Sequence, residues 1–213
     1  MKFTLNLNNR SSIMKASFHK FTAALLAACL FTLFACSGDD GGSSVVVTYG
    51  PTVSHGGETY QTVVIGNRTW FARNLNYDVS GSKCYNNEPS NCTTYGRLYN
   101  WETAMMVCPS GWHLPTDAEW ETLINYAGIK KLKAKGGWSN SNGTDDYGFS
   151  ALPGGFGNVG GVVFDYVGSG GSWWSASVNN DGSAYYWSMG YYSVTEGRSS
   201  TGKSYLFSVR CVS

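Results

Sequence analysis

Four cysteines, Cys84, Cys92, Cys108 and Cys211, constrain this chain more than any other feature. In an oxidising compartment an even set reads as disulfides, and four cysteines allow three connectivities. Cys84 and Cys92 flank the polar stretch YNNEPSN and can close it locally. That leaves Cys108 with Cys211, a bridge tying the middle of the chain to its end. Closing so long a loop gains about 4–5 kcal/mol in the chain-entropy model. Zinc ligation is the competing use of four cysteines, but the pairs lack the tight Cys-x-x-Cys spacing of such sites. No metal ligand set is assigned.

The disulfide reading needs an exported chain, and the N-terminal region carries an export signal. From Met14 the sequence runs MKASFHKFTAALLAACLFTLFAC. Lys15 and Lys20 make a basic start. Phe21 to Ala35 is apolar, too short and wrongly flanked for a membrane span. Residues 1–13 lack this character, so Met14 is an alternative start. Leu33-Phe34-Ala35-Cys36 resembles the bacterial lipoprotein box, in which the cysteine receives a lipid such as palmitate and becomes the mature N-terminus. The alternative is a plain secretory signal with a chance cysteine. The expectation is a signal peptide over 1–35, lipidation at Cys36, a flexible linker over 36–45 and a folded domain over 46–213. SGDDGGSS, which follows Cys36, is small and polar and suits a tether.

Charge then excludes one class of partner. The segment before Cys36 holds four of the 15 Lys+Arg and none of the 14 Asp+Glu, so the mature chain carries 11 basic against 14 acidic residues. No basic stripe remains, and nucleic acid is not an expected partner. The domain is rich in Gly, Tyr and Trp and poor in charge, which favours a loop-rich, strand-rich extracytoplasmic fold.

Local patterns place the elements. In ETYQTVVIGNRTWFARNL (58–75), alternation leads into Gly66-Asn67 and out again, a β-hairpin. Leu98, Trp101 and Met105, with Ala104 beside them, predict a helix over Arg97–Cys108. A second helix starts in CPSGWHLPTDAEWETL (108–123): Thr116 is an N-cap, Glu119 completes a capping box and Asp117 suits the helix dipole. Trp120, Leu123, Ile124 and Ala127 form its apolar face, and Gly128 stops it. Helix initiation therefore explains Asp117 and Glu119 without catalysis, and His113 reads as a packed histidine. Short strands are expected at 147–151, 173–177, 184–189 and 206–211, with Asn179-Asn180-Asp181-Gly182 as a turn.

Trp101-x-x-Ala104-x-x-x-Cys108-x-x-Gly111-x-x-Leu114 resembles the first-helix signature of C-type-lectin-like domains. That resemblance implies an α+β fold with two helices, short antiparallel strands and long Gly/aromatic-rich loops. It also implies a bridge from the cysteine after helix one to the final strand, here Cys108 to Cys211. TVVIGNRTWFARNLNY, CPSGWHLPTDAEWETL, YGFSALPGGF, WWSAS and YLFSVRCV resemble the blocks of the Fibrobacter succinogenes major paralogous domain, from Tyr60 to Val212. Members of that family are typically exported, often as lipoproteins. Leu114-Pro115-Thr116-x-Ala118-Glu119-Trp120 and Val209-Arg210-Cys211 are distantly similar to formylglycine-generating enzymes. Those use a pair of active-site cysteines, whereas Cys211 has a structural partner here, so the expectation is no enzyme and no catalytic residue. Calcium-dependent lectin motifs are absent: Glu88-Pro89 precedes helix one and continues into Ser90, and Trp187 continues into Ser188-Met189. Asp145-Asp146 and Asp181 could bind calcium, but turn roles explain them and no cofactor is assigned.

The remaining expectation is a binding surface. Trp173, Trp174, Tyr185, Trp187, Tyr191 and Tyr192 are dense over a short segment, and neighbouring strand residues face opposite ways, so some rings should be exposed. They are the candidate ligand-binding residues of a lipid-anchored domain in the bacterial envelope, at the outer membrane or cell surface. The expected ligand is a plant-type polysaccharide or an envelope protein. A structural scaffold is the alternative.

Overall fold

The structure is a computed structural model and describes residues 45–190 and 197–213. The expected signal peptide, Cys36, nearly all of the linker, Tyr191 and Tyr192 lie outside the described residues. The first elements are β1 (Tyr49–His55), β2 (Glu58–Ile65), β3 (Arg68–Phe71), β4 (Ser82–Lys83), α1 (Pro89–Tyr95), β5 (Leu98–Tyr99) and α2 (Trp101–Ala104). Then come α3 (Asp117–Ala127), α4 (Ile129–Leu132), β6 (Gly154–Gly157), β7 (Phe164–Val167), β8 (Gly170–Asn180), β9 (Ser183–Gly190), β10 (Gly197–Gly202) and β11 (Phe207–Ser208). The fold is α+β.

β1, β2 and β3 form an antiparallel sheet. β2 and β3 are the expected hairpin, with Val64 opposite Thr69 and Ile65 opposite Arg68. Gly66 has φ 63°, which suits glycine at the first central position of the turn. The second sheet has the order β10-β9-β8-β11-β5-β4, and β6 joins β8 in parallel while pairing antiparallel with β7. The turn between β8 and β9 falls in the expected Asn-Asn-Asp-Gly stretch.

Three expectations are corrected. The helix predicted over Arg97–Cys108 is four residues long, because Leu98 and Tyr99 pair with both β4 and β11. Asn100 then caps α2 by accepting from the Thr103 N–H. The described residues contain four α-helices rather than two; α1, which begins on Pro89, falls in the stretch read as a polar loop. Residues 147–151 are not a strand: Gly148 and Ser150 take positive φ, and only Ala151 forms a bridge, with Lys133.

The capping box at α3 is present in full, and Trp120, Leu123 and Ala127 are buried. Both disulfides are present, Cys84–Cys92 and Cys108–Cys211. The last residues close the structure. Phe71 N–H donates to Cys211 O, Leu75 N–H to Val209 O, and Val212 exchanges two backbone bonds with His113. Thr69 and Ser213 exchange two more. This segment therefore joins the first sheet to the entry of α3.

Candidate functional site

The tryptophans expected to meet a ligand are interior. Trp173 and Trp174 are both 0% exposed. Being consecutive in β8 they face opposite ways, and both faces are covered. Trp173 lies in a cluster with Trp70, Trp120 and Phe149, and Trp174 in one with Leu114, Phe207 and Val209. Each indole N–H is satisfied: Trp173 Nε1 donates to Asn74 Oδ1 at 2.8 Å and Trp174 Nε1 to Tyr99 O at 2.7 Å. Trp187 is also buried and donates to Asp117 Oδ1 at 2.8 Å. The expectation that strand alternation would expose some of these rings is corrected for all three tryptophans: the sheet is packed on both sides. Tyr185 is half-buried, with the Arg198 guanidinium 3.8 Å from its ring centroid.

The charged residues at the start of α3 are equally committed. Asp117 takes the Trp187 N–H and an ion pair from Arg198 Nε at 2.6 Å. Glu119 accepts from the Thr116 N–H and hydroxyl, both at 2.9 Å, from His113 Nε2 at 3.0 Å and from Arg68 Nη2 at 3.1 Å. Burial opposes its charge, but the Thr116 and His113 bonds prevail and hold the carboxyl below its ordinary range. Asp145 accepts from the Ser150 N–H and hydroxyl, a turn role. Among the described residues no group of three or more His, Cys, Asp or Glu is placed to hold a metal ion.

Arg210 was not singled out by sequence reasoning, yet it is the hub between the two clusters. It is fully buried. Nε and Nη2 donate to Asn74 Oδ1, and Nη1 donates to Phe71 O and Phe149 O. Desolvation pushes its pKa down to about 9, against the pull of Asp145. It remains a cation at neutral pH. Cys211 beside it is bonded to Cys108 and has no thiol to offer.

One group of exposed apolar side chains lies elsewhere, on the β6–β7 hairpin. Val162 is 81% exposed, and Val159 and Val163 are about half exposed beside it. Tyr166 is 59% exposed and stacks on Phe156 at 5.6 Å. Its φ of 68° is a left-handed conformation that a bulky side chain rarely adopts. A hollow of about 420 Å³ is lined by Tyr85, Phe164, Asp165, Tyr166, Val167 and Ser169. Of the sheet strands, β7 pairs with β6 alone. The missed signal was Val162-Val163 next to Gly160-Gly161: a glycine-rich loop has no bulk with which to cover two valines.

Among the described residues no helix is long and apolar enough to cross a membrane. No curated protein and no solved structure matches the chain. The profile of the Fibrobacter succinogenes major domain matches residues 63–213, from the middle of β2 through the closing segment that carries Arg210 and Cys211. With most of its length so matched, the chain belongs to the Fibrobacter succinogenes major domain family.

Proposed function

We propose that this chain is an exported, lipid-anchored lipoprotein of the bacterial envelope, carried at the outer membrane or cell surface through Cys36. Its domain is C-type-lectin-like and acts as a non-catalytic binding module for another surface component. The fold reading is supported by the Cys108–Cys211 bridge between the segment after α2 and the chain's last strand region. The binding reading rests on one observation: Val159, Val162, Val163 and Tyr166 are all exposed on one hairpin, and Tyr166 lines a hollow there. Exposed valines suit a protein surface better than a polysaccharide chain. The buried tryptophans favour a scaffold as the second reading.

The test is retention of the purified, oxidised chain on envelope vesicles and on insoluble cellulose, xylan and pectin, with and without calcium. A Val162→Asp/Val163→Asp form runs beside it. Retention on vesicles that the double change abolishes supports adhesion through the hairpin. Retention that survives the change removes the hairpin from the site. Failure to bind any surface leaves the scaffold.

A further inference from the structure

Two hollows of about 300 and 290 Å³ adjoin between the β2–β3 turn and α3. They share Asn67, Arg68, Glu119 and Thr122 and so form one trough. Its first half has an apolar floor of Ile65, Trp70 and Leu123, with Tyr126 as a wall. Tyr126 is 60% exposed, although it is the largest side chain on that part of α3. The second half is of mixed character, lined by Asn67, Arg68, Thr116, Ala118, Glu119 and Thr122. Each half is near the lower end of ligand-site volumes, roughly 300–1,000 Å³.

Arg68 is held in place before any ligand arrives. Gly66 sets the turn that carries Asn67 and Arg68. Arg68 spends one Nη2 bond on Glu119, and Glu119 is fixed by Thr116 and His113. The guanidinium is thus oriented while 43% of the side chain stays exposed, leaving further N–H groups for a ligand. Asn67 adds an exposed amide. Preorganised donors lower the ordering cost of binding.

This lining discriminates between ligand classes. An apolar side chain would cover the Trp70 floor but strip water from Arg68 and Asn67 without replacing their bonds. An anion would meet an arginine whose charge is already offset by Glu119. A sugar ring offers an apolar C–H face to Tyr126 and hydroxyl oxygens to the oriented donors. We propose that the trough binds a neutral glycan, two sugar units at a time. The site is independent of the hairpin patch and would make the module bivalent.

Ligand-observed NMR of the purified chain with cellobiose, xylobiose, maltose and digalacturonate tests this. At least one neutral disaccharide is expected to bind saturably. Tyr126→Ala and Arg68→Gln should each weaken it about tenfold. Tyr126→Phe keeps the ring and should bind as the parent does, which separates loss of stacking from loss of fold. Val162→Asp/Val163→Asp should leave sugar binding unchanged, so the hairpin reading stands or falls separately. Absence of binding by every neutral disaccharide overturns the proposal. So does preference for digalacturonate, or binding indifferent to both Tyr126→Ala and Arg68→Gln.

Discussion

Two aromatic-bearing regions of one sheet are treated in opposite ways. In β8 and β9, Trp173, Trp174 and Trp187 are enclosed and every indole N–H has an acceptor. In the neighbouring β6–β7 hairpin, valines stand in solvent and Tyr166 keeps a strained backbone. The large rings were the natural candidates for ligand contact, yet they are the residues the fold depends on. Aromatic density therefore marks the interior here, and exposed β-branched residues in a glycine-rich loop mark the surface with something left to cover.

Four substitutions sharpen or break that contrast, given from the largest effect to the smallest. Cys108→Ala/Cys211→Ala should cost about 4–5 kcal/mol in denaturant unfolding, since it releases the longest covalent loop. A loss as small as that of a surface change would show that hydrogen bonds alone hold the closing segment. Trp174→Ala should cost about 3–5 kcal/mol, as expected of a filled core, and would leave the Tyr99 carbonyl without its donor. Thr116→Ala should cost about 1 kcal/mol through loss of the cap. Val162→Ser/Val163→Ser should stay within about 0.5 kcal/mol per site, because exposed residues carry little stability. A large loss there would make the hairpin structural and erase the contrast.

The α3 start also has a pH signature. Glu119 has its folded pKa depressed, so its contribution is present above the ordinary carboxyl range. It is lost as pH falls through the lower folded value. Glu119→Gln should flatten the acid limb of a stability–pH curve, and an unchanged limb would assign acid sensitivity to other carboxylates.

Features set by nearby residues were legible in the sequence. The β2–β3 hairpin follows from Gly66-Asn67, and α3 follows from Thr116, Glu119 and its apolar spacing. The disulfides followed from loop closure. Features set by distant partners were not. Leu98, Trp101 and Met105 fit a helical period, but pairing of Leu98-Tyr99 with β4 and β11 overrides it. Trp173-Trp174 reads as one ring in and one ring out unless both faces of β8 are known to be covered. Arg210 looks like a surface charge until Asn74, Phe71 and Phe149 are seen to converge on it. The trough joins a turn to a helix about fifty residues apart in the chain, a proximity that no local pattern carries.

The closing segment has a consequence for how the parts are held together. Residues 207–213 supply β11, Arg210, the second half of the long disulfide and the bonds that fasten the first sheet to the entry of α3. They also add Val212 beside Trp70 and Phe207 against Trp174, completing walls begun by Trp120, Phe149 and Tyr99. In backbone hydrogen bonds, the first sheet and the entry of α3 are therefore fastened to each other through residues 209–213. The segment works as a latch, and the Cys108–Cys211 bond is its lock.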